Sequence, residues 1–236
     1  MAFPSPVKTF HSDTYPSIDP TSPLSSTLGK NIAISGGGSG IGPEIARSFA
    51  KSGASSISIF GRTEKSLLAT KERLEKEFPK TKFYSYVADV VDRATLDKAF
   101  QAMKAVVGEV DILIANAGYM PDLHPITKSD PEDWWNAFEI NVKGAFNLIN
   151  AFVPVAAKNA SVINMTTAVS HMPYVPAGSG YAISKLAGTR LWDYFAGEYP
   201  EMFVLSMHPG VIETQMDVKT AAAGIVFPHD TSKLLL

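Results

Sequence analysis

The chain has 236 residues, 45% of them hydrophobic, which is enough to bury one sizeable core as a single domain. Its 21 basic and 23 acidic residues leave a formal charge of −2 with no long run of either sign, excluding an electrostatic nucleic-acid footprint and a polybasic membrane anchor. There is no cysteine, hence no disulfide, thiolate chemistry or cysteine zinc site, and the apolar runs fall short of the ~18 residues that span a bilayer. The start, MAFPSPVKTF, lacks the charged and apolar regions of a secretory signal, so a cytoplasmic protein is expected.

Residues 1–29 carry Pro4, Pro6, Pro16, Pro20 and Pro23 among Ser and Thr, and form an arm that either stays irregular or docks through Phe3, Phe10 and Tyr15. From residue 30 to 236, strands and helices alternate. NIAIS (31–35) reads as a buried strand, followed by a glycine-rich turn and the helical pattern PEIARSFAKSG closed by Gly53. SISIF (56–60) is a strand. EKSLLATKERLEKEF (64–78) sets Leu67, Leu68 and Leu74 on one helical side. KFYSYVADV (82–90), the helix RATLDKAFQAMKAVV (93–107) and the strand VDILIANAG (110–118) follow. A loop with Pro121, Pro125 and Pro131 leads into a long helix over 132–157, bent near Pro154. SVINMTT (161–167), a helix over 181–199 and MFVLSMHPG (202–210) complete the series. This alternation predicts a Rossmann-type doubly wound parallel α/β sheet with helices on both faces. Only 27 residues follow Pro209, and no seventh strand can be read in them.

The turn Ser35-Gly36-Gly37-Gly38-Ser39-Gly40-Ile41-Gly42 lies between a strand and a helix. Glycines there permit backbone conformations closed to other residues, and the helix start offers N–H groups and a positive dipole end to an anion. By itself a glycine cluster is weak evidence; its place in the first strand-to-helix turn makes it a candidate pyrophosphate cradle. Pro43 suits the first helical turn.

Tyr181 and Lys185 stand four apart, so a helix brings them onto one face about 5–6 Å apart. A phenol with a free pKa of ~10 is a poor base, and a neighbouring ammonium would favour its ionised form.

Four ordered motifs resemble those of the short-chain dehydrogenase/reductase family over residues 30–215. They are the glycine turn, with Ser35 where the family has threonine, Ala115-Asn116-Ala117-Gly118, Tyr181-Ala-Ile-Ser-Lys185, and Pro209-Gly210-Val-Ile212-Glu-Thr214. The resemblance implies a nicotinamide-dependent oxidoreductase acting on a carbonyl or secondary alcohol carbon. It implies Tyr181 as proton donor or acceptor and Lys185 as holder of the nicotinamide ribose and tuner of the tyrosine. It also implies cofactor contacts at Ser35, Gly36, Ser39, Gly40, Ile41, Gly42, Asp89, Val90, Asn116, Ala117, Gly118, Pro209, Gly210, Ile212 and Thr214. Asn141 corresponds to the family asparagine that bends the long helix and supports a water leading to the lysine.

Two positions depart from a generic member. After the second strand stand Arg62 and Thr63 in place of a carboxylate, and a guanidinium suits a 2′-phosphate, so NADP(H) is expected. Thirteen residues before Tyr181, where the family carries its serine, stands Ala168. Thr167 is the expected hydroxyl, with Thr166 and Ser170 behind it.

His171 and Tyr174 border the substrate region by position, although an ordinary loop histidine is the simpler reading. His171 and His208 lack the carboxylate spacing of a metal site, so none is expected. Trp134 and Trp135 read as helix packing. The His171-Met-Pro173 loop and Leu191-Trp-Asp-Tyr-Phe195 resemble fungal members, many of which serve secondary metabolism. A homodimer or homotetramer is implied by the same resemblance, as is a small hydrophobic carbonyl or alcohol substrate. Two alternatives stay open: a cofactor-binding regulator or scaffold without turnover, and a non-redox epimerase, dehydratase or cyclase on the same scaffold.

Overall fold

The computed structural model describes residues 14–172, 174–212 and 214–222. Phe3 and Phe10, Pro173 and Glu213, and the chain from 223 onward lie outside the described residues.

Six strands form one parallel sheet in the order β3-β2-β1-β4-β5-β6. They are β1 (Asn31–Ser35), β2 (Ser56–Gly61), β3 (Lys82–Val87), β4 (Val110–Ala115), β5 (Ala156–Met165) and β6 (Phe203–Met207). The helices are α1 (Gly42–Lys51), α2 (Glu64–Glu77), α3 (Arg93–Val107), α4 (Pro131–Phe138), α5 (Gly144–Phe152), α6 (Ser179–Glu198) and α7 (Gln215–Ala222).

The period-two alternation of β1 sorts its side chains between two cores. Ile32 and Ile34 join Ile57, Ile59 and Ile114 against Ile45 of α1 and Leu67 and Leu74 of α2. Ala33 joins Leu113 and Val162 on the other face, under Phe100 of α3, Phe152 of α5 and Trp192 of α6. Phe60 and Phe100 stack there with ring centroids 4.6 Å apart. Burying a side chain of this size contributes about 1.5–3 kcal/mol, so the sheet is held from both sides.

The strand order reverses between β1 and β4, which opens a crevice beyond their carboxyl ends. Every candidate motif lies on that rim. Among the described residues the sheet ends at β6, whose Phe203 and Leu205 are exposed.

Three expectations need correction. The helix expected over 132–157 is α4, a π-helical turn at Glu139–Lys143, and α5, and it ends at Phe152. Its irregularity falls at Asn141 and not at Pro154, because Pro154 sits in a 3₁₀ turn after the helix, where the missing N–H breaks no α-helical bond. The fifth strand begins at Ala156, earlier than expected, since Asn159 takes a positive φ of 63° and lets the chain irregularly extend its pairing with β4. Of the arm, Thr27 bonds Ser52 through its backbone N–H at 2.9 Å, and Leu28 bridges Ala54.

Candidate active site

At the end of β1 the chain turns through Gly36 and Gly40, with φ of 67° and 61°. These values favour glycine because a Cβ would crowd the backbone. A Cβ on Gly42 would lie 2.2 Å from the Gly36 carbonyl oxygen, so the first turn of α1 sits directly on the loop. No side chain caps that helix start, whereas Asp92 and Asp130 cap α3 and α4. Ser39 and Gly40 are exposed and Ile41 is half-buried. The turn thus presents backbone and an uncapped helix start on the rim, the kind of surface that offers N–H groups to an anion.

Ser35 is placed differently from its expected cofactor contact. It is buried, and its hydroxyl accepts from the backbone N–H of Asn116 at 2.9 Å and of Ala117 at 3.0 Å. Asn116 in turn donates from Nδ2 to the carbonyls of Ser35 and Gly36, each at 3.1 Å. Both side chains are committed to tying β1 to β4 beneath the turn. They shape the cradle from below, a physical reason for these residues at these places that the sequence alone did not distinguish from direct contact.

Arg62 and Thr63 are exposed at the end of β2, one strand over from the cradle. Arg62 has no ion-pair partner among the described residues, leaving its five N–H donors available. Asp89 accepts from the Val91 N–H at 3.1 Å. Val90 is buried against Gly144, and its carbonyl accepts from Asn147 at 2.9 Å.

The catalytic candidates converge. Thr167 ends the turn after β5, is buried, and hydrogen-bonds Tyr181 through its side chain. Tyr181 and Lys185 lie on α6, half-buried on one face. Lys185 donates from Nζ to the Met165 carbonyl at 2.8 Å, and a Cβ on Gly118 would lie 3.1 Å from that nitrogen. Thr166 instead pairs with Thr189 at 2.7 Å, and Ser170 donates to the Thr167 carbonyl at 2.6 Å. Of the three candidate hydroxyls, Thr167 is the one facing the tyrosine.

Burial governs the electrostatics. It pushes the Tyr181 phenol up to about 12, opposed by the Thr167 hydrogen bond, and brings the Lys185 ammonium down to about 8. Among the protein's own groups, burial sets the direction at the tyrosine, while the expected lowering also counts the positive nicotinamide ring. The Lys185 nitrogen is held on a carbonyl, and desolvation outweighs its effect on the phenol. With the protein's own groups alone, the pair rests as a protonated phenol beside a readily deprotonated amine.

Asn141 anchors the π-helical turn. Its Oδ1 accepts from Tyr119 N–H at 2.8 Å, and its Nδ2 donates to the Tyr119 carbonyl at 2.8 Å and to Ser184 Oγ at 2.9 Å. Gly188 lets α6 close on the Asn141 carbonyl, where a Cβ would lie 2.7 Å from that oxygen. Behind Lys185 a cavity of about 20 Å³ is lined by Ser35, Asn141, Asn164, Thr166 and Thr189 among others, room for one water.

Past β6, Pro209, Gly210, Ile212 and Thr214 are half-buried, and Gly210 takes a φ of 88°. His171, Tyr174 and His208 are exposed on the same rim. No group of three potential metal ligands occurs among the described residues, and no helix is long and apolar enough to cross a membrane.

Trp134, read from the sequence as helix packing, also positions the site, and three further residues escaped the sequence reading. Trp134 donates from Nε1 to Ser179 Oγ at 3.1 Å and packs on Gly180, fixing the start of α6 immediately before Tyr181. Tyr119, Asp133 and Lys219 form a cluster beside Asn141. Only Tyr119 carried a usable signal, since it follows the Asn116-Ala117-Gly118 motif directly.

The sequence pattern of short chain dehydrogenases matches residues 30–223. A short chain dehydrogenase of Aspergillus terreus is 34% identical over 85% of this chain, which spans 44% of that relative's length. A short chain dehydrogenase/reductase of Aspergillus aculeatus is 31% identical over 90% of this chain and 74% of its own. Among solved structures, a gluconate 5-dehydrogenase of Burkholderia cenocepacia in complex with NADP and tartrate superposes with a TM-score of 0.77 at 27% identity, over 89% of this chain and 80% of that one. The fold and its rim of motifs thus define a Rossmann-type oxidoreductase scaffold. The chain belongs to the short-chain dehydrogenase family, whose members bind a nicotinamide cofactor.

Proposed function

We propose that the protein is an NADP(H)-dependent oxidoreductase that interconverts a carbonyl compound and a secondary alcohol. The observation carrying this reading is the convergence of Thr167, Tyr181 and Lys185 on the rim beside the glycine cradle. When bound, the nicotinamide supplies or accepts a hydride. Tyr181, protonated because burial holds its pKa near 12, hands its proton to the carbonyl oxygen in reduction and takes it back in oxidation. Thr167 hydrogen-bonds the same oxygen as charge develops there. Lys185 would hold the nicotinamide ribose, and Asn141 keeps the lysine side of the site in place through Tyr119 and Ser184.

Gly36, Ser39, Gly40, Ile41 and Gly42 would cradle the pyrophosphate, and Arg62 and Thr63 would receive the 2′-phosphate. Asp89, Val90, Ala117 and Gly118 would line the adenosine and ribose side, with Pro209, Gly210, Ile212 and Thr214 against the nicotinamide. The exposed Arg62 without an ion-pair partner supports NADP(H) over NAD(H). The NADP in the Burkholderia structure is in keeping with it.

The family resemblance favours a small or medium hydrophobic carbonyl or alcohol substrate. The resemblance of the 171–173 loop to fungal members favours a place in fungal secondary metabolism. Exposed Trp135, Phe146 and Tyr194 on α4, α5 and α6 favour a homo-oligomer.

The test is NADPH consumption across a panel of ketones with the matching alcohol measured as product. Stoichiometric consumption supports the reading. Tight NADPH binding without consumption over the whole panel would favour a cofactor-binding regulator instead.

A further inference from the structure

The segment leaving β6 begins beside the catalytic turn, where the Thr166 N–H bonds the Met207 carbonyl at 2.8 Å. It arrives, at Lys219 of α7, on the loop that follows β4. Lys219 donates from Nζ to Asp122 Oδ1 at 2.9 Å and to the Met120 carbonyl at 3.0 Å, and the same ammonium lies 5.0 Å from the centre of the Tyr119 ring. In the sheet β5 lies between β4 and β6. A chain that runs from the end of β6 to the loop after β4 therefore crosses the carboxyl end of β5, where Thr167 stands.

The landing point is itself braced. The Tyr119 phenol donates to Asp133 on α4, and the Asp122 N–H donates to the other oxygen of that carboxylate at 2.8 Å. The Tyr119 backbone is held on both sides by the Asn141 amide. One ammonium on α7 is thus joined through Tyr119 to the asparagine of the π-helical turn.

We propose that Lys219 is a positioning residue that latches α7 across the crevice and sets how fast cofactor and product leave. The proposal rests on the nicotinamide reading above, and it makes the contact of Lys219 with Asp122 and Met120 a control point for release. Lys219 touches no reacting atom in it; its effect runs through the position of α7. Three partners on one ammonium use its donor capacity well, although the pair with Asp122 is partly exposed and open to screening by salt.

The experiment compares the wild-type chain with Lys219→Met, Lys219→Arg and Asp122→Asn. NADPH dissociation is measured by stopped-flow fluorescence, KM and kcat by steady-state turnover, and exposure of α7 by limited proteolysis without any ligand. Losing the latch should speed NADPH release and raise KM by about five- to tenfold in Lys219→Met and Asp122→Asn, with kcat held or increased. Lys219→Arg should restore wild-type values, and cleavage within α7 should quicken in the two latch-less variants. Unchanged NADPH release and KM in Lys219→Met, with the wild type binding NADPH, would overturn the proposal. Should the wild type not bind NADPH, the cofactor reading fails separately, and equal cleavage of α7 in all variants would still sink the latch.

Discussion

Thr167 and Tyr181 share a side-chain hydrogen bond across 14 residues, one more than the family's serine-to-tyrosine interval. The extra residue is absorbed by the 3₁₀ turn Ala168–Ser170, whose first N–H groups are met by Thr167 itself, through Val169 N–H to Oγ1 at 3.3 Å. A threonine can therefore stand where the family uses serine without losing the tyrosine.

If that hydroxyl stabilises the substrate oxygen, Thr167→Ala should lower kcat by about 10²–10³. Thr167→Ser keeps the donor and should retain most of the rate, whereas Ser170→Ala should do little. Steady-state kinetics at saturating NADPH, with the NADPH dissociation constant checked for each variant, measures this.

Lys185 presents a trade between function and stability. Its folded value is near 8, below the ~10.4 of an unfolded lysine, so between those values the unfolded chain binds more protons than the native one. Stability of the wild type should then rise as pH increases from about 8 to about 10.4, and stay level in this term below 8. Lys185→Met should remove that slope, abolish turnover, and stabilise the fold at neutral pH by about 2 kcal/mol, the shift being discounted for partial exposure and the lost bond to Met165. Denaturant unfolding at pH 7 and at a pH about two units higher distinguishes the slope from a uniform effect.

The glycine turn separates two kinds of constraint. Gly42→Ala would drive a methyl to 2.2 Å from a backbone oxygen and should both lower the melting temperature and weaken NADPH binding strongly. Gly40→Ala meets no atom within 4 Å and should cost only the backbone strain of its positive φ, about 1–2 kcal/mol. Thermal melts of the two variants test the ordering.

Arg62→Glu should reverse the cofactor preference, weakening NADPH by at least about tenfold through loss of a charge-assisted contact while leaving NADH binding within a few-fold. Fluorescence titration with both cofactors checks it. An unchanged NADPH affinity would assign Arg62 to the solvated surface.

Much of this was legible because the signals are local. The apolar runs of β1, β2 and β4 are buried on both faces and read directly as parallel strands. Tyr181 and Lys185 share a helical face by spacing alone. What stayed hidden depends on contacts between distant segments. Apolar periodicity marks only Pro154 as a helix breaker; the bend at Asn141 was legible through the family motif, but its π-helical form and its bonds to Tyr119 and Ser184 were not. Ser35 reads as a cofactor residue from its motif, yet its hydroxyl is used by residues 81 and 82 positions away. Lys219 and Met120 are 99 residues apart, so only the folded chain reveals that they meet.

The most direct test of the central claim is turnover of NADPH and a ketone substrate by the wild type and by Tyr181→Phe, with NADPH affinity measured for both. The account predicts that the phenylalanine variant binds NADPH as the wild type does but loses essentially all turnover, because the phenolic proton is gone while the cradle is intact. Turnover that survives in Tyr181→Phe would contradict it, since the proton would then come from another group.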